Sequence, residues 1–223
     1  GQPKVVAMRD GDRLAALGAG VLRGLPLRQG EAPAACWQLT DVRVDPAYKG
    51  QHLPLAMLAG PDVALAYARA PRAFTVAMGP LDSHPGRLLR RLAHLRFAKF
   101  EPGPELGIYT LDGETILDLI PMLEQFRGHV GYYAPLGVKD LVPLAGEGPV
   151  PLIHVTWDPL GKGVAPSNRA APMAGHTHMF CAPHGDPLAI ALAARGILPT
   201  STAAIAHHRM GRADWRFLLT ADC

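Results

Sequence analysis

Residues 42–55 of this 223-residue chain read VRVDPAYKGQHLPL: a β-branched run, a proline, a glycine-bearing loop and then an apolar stretch. A strand that gives way to such a loop ahead of a helix presents backbone N–H groups with no intrahelical partner, and the helix dipole favours negative charge there. The chemistry expected is anion binding at a strand-to-helix junction. Val42 and Val44 lie on the strand, Lys49 adds a cation, and Gly50, Gln51, His52 and Leu53 carry main-chain donors. Pro54 withholds an N–H from the same stretch. A rival grouping is histidine: His176 and His178 would project to one face of a strand, with His154, His184, His207, His208, Asp158 and Asp186 as further ligands of the kind zinc uses. No HExxH or other metal-ligand spacing joins them, so no metal is expected and a metal-dependent hydrolase ranks below the other readings.

The elements that must position these residues follow from pattern and punctuation. ACWQLTDVRV (35–44) alternates at its end and predicts a strand, which Asp45-Pro46 terminates before LPLAMLAG continues as a helix starting near Gly50 to Leu53. AFTVAMGP (73–80) predicts a strand, and SHPGRLLRRLAHLRF (83–97) a helix with Ser83 as N-cap. LGIYTLDG predicts a strand and turn, and ETILDLIPMLEQFRG a helix broken or kinked near Pro121. PLIHVTW (151–157) and HTHMFCAP (176–183) predict strands, DPLAIALAARG a helix ended by Gly196, and ILPTSTAAIAHH and DWRFLLTAD two more strands. KVVAM is a short apolar run; the RDGDRLAALGAGVLRG that follows suits a loop or short helix leading to a strand near Gly18 to Val21. The strand, helix, strand order after His176 repeats that between Ala73 and Thr110, as a diverged duplication would.

Composition sets the bounds. Hydrophobic residues at 48% and charged residues at 18% exclude a mainly disordered chain, while 24 Gly and 22 Pro predict short elements and many loops. A net charge of +3 with scattered basic residues argues against nucleic acid. Cys36, Cys181 and Cys223 are odd in number without CxxC spacing, which predicts a reducing, cytoplasmic setting; no run reaches the roughly 18 apolar residues of a membrane span. No GxSxG, Walker or GxGxxG motif follows a strand.

Residues 42–55 resemble the acyl-CoA motif of the GNAT superfamily of N-acyltransferases, roughly Val-x-Val-x-Pro-x-(Tyr/Phe)-Arg-Gly-x-Gly-(Leu/Ile)-Gly. Val42, Val44, Pro46, Tyr48, Lys49, Gly50, Gln51 and Leu53 fall on it in order, with His52 and Pro54 where the family has its second and third glycines. LAHLRFAKFEP (92–102) is similar to the family's later Tyr-x-x-x-Gly-Phe pattern, with Leu92 for Tyr, Arg96 for Gly and Phe97 for Phe. The resemblance implies a mixed α/β fold, a central sheet flanked by helices, as a GNAT-like domain over 1–112 and a C-terminal lobe over 113–223 that could be a second such half. It implies acetyl-CoA or acyl-CoA as co-substrate, held partly by main-chain bonds to strand edges, and transfer of the acyl group to a small-molecule amine or a peptide. Asp41 is the matching carboxylate for the base, and His94 stands near the missing Tyr as acid. The alternative is a binding or regulatory protein that keeps the fold without the chemistry. A homodimer is a further expectation; nucleic acid and membrane are not.

Overall fold

The computed structural model describes residues 2–27, 31–79, 99–134, 151–157, 171–218 and 220. The chain divides into two compact units, Gly1–Gly103 with Ala204–Asp214 and Pro104–Ala203 with Trp215–Cys223.

In the first unit β1 (Gln2–Asp10) and β2 (Arg13–Leu25) form an antiparallel hairpin closed by Gly11 and Asp12. Gly11 has φ +58°, which glycine adopts freely and which a tight hairpin turn needs. The loop or short helix expected ahead of Gly18 is therefore strand from Arg13 onward. Pairing overrides local propensity there: Leu14 to Gly20 is rich in Ala and Gly, which carry no strand signal of their own. β3 (Ala34–Val44) runs antiparallel to β2. Asp45 then caps a 3-10 turn (Pro46–Tyr48), and α1 (Leu53–Leu58) and α2 (Pro61–Arg69) lead into β4 (Ala73–Met78), parallel to β3. The strand thus ends at Val44 and the helix begins at Leu53, as the punctuation predicts.

The second unit holds β5 (Glu101–Leu111) from Pro104 onward, α3 (Gly113–Arg127), β6 (Val130–Tyr133), β7 (Leu152–Trp157), β8 (Thr177–Pro183) and α4 (Pro187–Ala194). β8 lies between β5 and β7, antiparallel to the first and parallel to the second, and β6 flanks β7. The chain continues through β9 (Ser201–His208), whose Ala204–His208 belongs to the first unit in the strand order β1-β2-β3-β4-β9. Both units are mixed α/β, the class expected. The helix read over 83–97 lies outside the described residues.

Two local expectations are corrected. α3 is not broken at Pro121 but runs unbroken from Gly113 to Arg127: the carbonyl that loses its partner belongs to Leu117, on the exposed side of the helix, where water can serve it. No described residue of DWRFLLTAD is in a strand; Trp215–Phe217 forms a 3-10 turn with Trp215, Phe217 and Leu218 buried, so these apolar residues pack without a ladder.

The first unit's core joins Trp37 to Ala66, Ala70, Ala73, Phe100, Ala204 and Ala206. Alanines on α2, β4 and β9 leave room for the indole, whose Nε1 donates to the Ala66 carbonyl at 3.0 Å. A buried Trp N–H is thereby satisfied.

Candidate functional site

The site takes shape where β3 and β4 part. Their parallel ladder joins Trp37, Gln38 and Leu39 to Ala73, Phe74 and Thr75 and, among the described residues, goes no further, although β3 runs on to Val44 and β4 to Met78. Beyond Leu39 and Thr75 each strand offers a main-chain edge to the opening between them, which an extended chain can join by backbone hydrogen bonds.

A bulge stands at the opening. Leu17 pairs with Arg43 and Ala19 with Thr40, so Gly18 alone opposes both Asp41 and Val42. Asp41 has φ +45°, a conformation uncommon outside glycine, and bulges of this type re-aim residues beside functional sites. The predicted strict alternation of Thr40, Val42 and Val44 is broken at this point. The Asp41 side chain is 67% exposed, with Arg43 Nη2 at 3.4 Å from Oδ1.

The loop after β3 is pinned to the hairpin. Arg13 grips both Asp45 carboxylate oxygens at 3.0–3.2 Å, and Asp45 Oδ1 accepts from Ala47 N–H at 2.8 Å. The Ala47 bond and then the Arg13 guanidinium hold the Asp45 carboxyl below the usual carboxylate range. The Tyr48 hydroxyl donates to Asp10 at 2.8 Å, which pushes its pKa up, and Arg13 sits 5.4 Å from the Tyr48 ring centroid. Gly50 takes φ +85° and His52 φ +55°, both left-handed, so the loop turns tightly into α1.

This arrangement limits the loop's supply of anion-binding donors. The Lys49 N–H goes to Pro46 O at 3.3 Å and the Gln51 N–H to Tyr48 O at 3.4 Å, while Pro54, in the first turn, has none. Gly50, His52 and Leu53 keep theirs in the sequence order predicted, ahead of a helix only six residues long. Lys49, Gly50, Gln51 and His52 are exposed, and Leu53 and Val44 half-buried.

Beneath α1 and α2 lies an apolar cavity of about 470 Å³. Its sheet side includes Gly18, Gly20, Trp37, Leu39, Val42 and Thr75, and its helix side Leu55, Met57 and Tyr67. Lys4 lies 5.9 Å from the Trp37 ring centroid, within cation–π range. Of the predicted residues Val42 lines this cavity and Asp41 does not; Val42 and Val44 share β3, and Lys49 to His52 form the loop. His94 lies outside the described residues. Sequence reasoning missed Gly18, Gly20, Met57 and Tyr67. Their signal was faint, since glycines within a predicted strand do not announce that a cavity lies over them.

The histidines serve the folds of their own units. His176 precedes β8 rather than sharing it, with Nδ1 at 3.2 Å from Ala174 O. His178 is buried, and its Nε2 accepts the Met173 N–H at 3.3 Å. His154 Nδ1 meets Thr220 Oγ1 at 2.8 Å. Asp186 is the N-cap of α4 and a partner of Arg127, and no three His, Cys, Asp or Glu form a metal set among the described residues. Desolvation lowers the His178 pKa below its ordinary value. A base held below its unfolded pKa contributes stability that is complete above about pH 6.5 and lost as pH falls further. Thermal melts from pH 8 to pH 5 should therefore show a falling Tm below about pH 6.5. His178→Gln keeps an acceptor and cannot ionise, and should flatten part of that fall; an equal pH slope in both proteins would refute the assignment.

No protein-family model and no curated protein matches the chain. Several solved structures resemble it, among them two described as GCN5-related N-acetyltransferases. One is a GCN5-related N-acetyltransferase from Kribbella flavida, with TM-score 0.43 and 11% identity over 93% of this chain and 60% of that one. The other is a GCN5-related N-acetyltransferase from Anabaena variabilis, with TM-score 0.47 and 9% identity over 92% of this chain and 62% of that one. The chain spans about three fifths of the length of each. Among the described residues no helix is long and apolar enough to cross a membrane.

Proposed function

We propose that the first unit is an N-acyltransferase site that takes an acyl group from CoA, or from another pantetheine carrier, to an amine. The observation that carries this is the parting of β3 and β4 after Leu39 and Thr75, with the Asp41–Val42 bulge at its mouth and the Lys49–Leu53 loop at the end of β3. An amide-bearing pantetheine arm fits such an opening because exposed strand edges pair with extended chains. The reaction needs the amine nitrogen to bond to the thioester carbon as the C–S bond breaks, with one proton passing to a base and the thiolate leaving. Asp41 is the base proposed and His94 the acid. The acceptor is a small-molecule amine or a peptide, and acetyl-CoA or a longer acyl-CoA is the co-substrate.

The exposure of Asp41 favours a second reading, a binding protein that has kept the fold. Its carboxylate is 67% exposed and its one ion-pair partner, Arg43, is more exposed still, the arrangement of a solvated surface group. Calorimetric titration with acetyl-CoA, paired with a free-thiol assay over a panel of amines, separates the two. Binding with amine-dependent thiol release supports the transferase, and thiol release that persists at the wild-type rate in Asp41→Asn removes Asp41 from its role. Binding without release supports the second reading; absence of heat at millimolar CoA and acyl-CoA overturns both.

A further inference from the structure

The cavity under α1 and α2 is larger than an acetyl group can fill. About 470 Å³ compares with ~30 Å³ for one water in the liquid and lies within the range of small-molecule sites. It begins where the strands part: Leu39 and Thr75, the last ladder pair, both line it, and so does Val42 in the bulge. Its depth comes from glycine. A Cβ on Gly20 would meet Gln38 O at 3.5 Å, Trp37 Cε3 at 3.6 Å and Leu39 Cδ2 at 3.7 Å, all ordinary contacts, so a larger side chain is accepted by the backbone and occupies the cavity. A Cβ on Gly18 would likewise meet the Met57 thioether, Cε at 3.4 Å and Sδ at 3.7 Å. The charged side chains of the lining, Lys4 and Asp62, are solvent-exposed, and the remainder is almost wholly apolar.

We propose that this cavity receives the aliphatic chain of a medium-length acyl donor, entering from the strand opening and lying beneath α1 and α2. The proposal deepens the acyl-transfer reading and rests on it for the position of the chain's carbonyl end. A chain of methylenes matches a lining whose buried part is apolar apart from the Tyr67 hydroxyl and Thr75; an ammonium-bearing acceptor would lose its hydration there with no buried carboxylate among the lining residues to pair with.

The test is calorimetry of the full chain with acetyl-CoA, octanoyl-CoA, octanoate and octylamine, in the wild type, Gly20→Leu and Gly20→Val, with the melting temperature of each variant recorded. Octanoyl-CoA should bind at least about tenfold tighter than acetyl-CoA, because each buried methylene adds to affinity. Gly20→Leu should bring that ratio to about one, and Gly20→Val, the smaller filling, serves if the leucine variant does not fold. Equal affinity for the two thioesters in the wild type overturns the proposal and leaves the acyl-transfer reading standing. If neither thioester binds while octanoate does, and the Gly20 variants abolish it, the acyl-transfer reading fails and the chain site survives. Octylamine binding that the Gly20 variants block, with no effect of thioester chain length, assigns the cavity to the acceptor and overturns the proposal, as does a wild type that binds none of the chain-bearing compounds.

Discussion

Replacing Asp186 with Ala is expected to cost about 3–5 kcal/mol of unfolding free energy, the range for removing one partner of a buried ion pair. Arg127 Nη2 lies 2.6 Å from Asp186 Oδ1, with side chains 1% and 3% exposed. The guanidinium also sits 5.5 Å from the Trp157 ring centroid, and its Nη1 donates to Phe126 O at 3.3 Å, while Nε has no hydrogen-bond partner among the described residues. Such a cation has nowhere to take its charge if the carboxylate goes. Asp186 does a second job, since Oδ1 accepts the Leu188 N–H at 2.9 Å and caps α4. Cap loss accounts for about 1 kcal/mol of the cost of Ala. Asp186→Asn should keep the cap and lose the charge pairing. The double variant Arg127→Met with Asp186→Asn should then recover most of the loss, because no buried charge remains. Denaturant unfolding followed by Trp157 fluorescence is the measurement, and a loss below about 1 kcal/mol in Asp186→Ala would mean the pair is screened by solvent and the assignment of its energetics is wrong.

What the sequence made legible was punctuation. Asp45-Pro46 marks the end of β3 because Pro cannot continue a ladder, and Gly50 marks the turn because its φ of +85° is glycine's own territory. α3 was readable as ETILDLIPMLEQFRG, and the structure adds its cap, Asp112, which accepts the Thr115 N–H at 2.8 Å, and its buried stripe of Ile116, Leu119 and Leu123. α2 carried its own signals, Pro61 at the first turn, Asp62 beside it and Arg69 in the last turn, although the reading stopped at LPLAMLAG. In the hairpin of β1 and β2 a strand was legible near Gly18 to Val21, but the start of β2 from Arg13 was not, since alanine and glycine favour no sheet until a partner strand pairs them. The bulge was hidden for a related reason: Asp41 holds a positive φ that nothing in TDVRV announces. The cavity was hidden because a pocket made by missing side chains at Gly18 and Gly20 appears in sequence only as flexibility.

Those two hidden features move the weight of the candidate site. The sequence places it in the loop, among donors at Gly50, Gln51, His52 and Leu53; the structure turns the Gln51 donor inward and puts a bulged strand edge and an apolar cavity beside the loop. Recognition of a donor by such a site would lean on the arm and the chain more than on the phosphates. That division has a measurable consequence in the loop itself.

The double variant His52→Gly with Pro54→Gly is expected to tighten binding of acetyl-CoA by about ten- to a hundredfold, the return on regaining one charge-assisted hydrogen bond worth roughly 1.5–3 kcal/mol. Pro54 withholds its N–H in the first turn of α1, and His52 places an imidazole where close approach of a pyrophosphate needs bare backbone. The two substitutions differ in their effect on folding. His52 already holds φ +55°, so glycine relieves strain at that position, whereas glycine for Pro54 frees a backbone that proline restrains and weakens a six-residue helix by about 1 kcal/mol. The melting temperature should therefore change little in His52→Gly and fall slightly in the double variant. The unmodified protein should bind acetyl-CoA no tighter than tens of micromolar, since Lys49 is exposed and its N–H and that of Gln51 are engaged within the loop. Low-micromolar affinity in the unmodified protein would show that the loop suffices as it stands, and the roles given to His52 and Pro54 would have to be abandoned. A double variant that folds and binds no better than the wild type would place the phosphates away from α1 altogether, leaving the edges of β3 and β4 and the cavity beneath α1 and α2 to carry recognition.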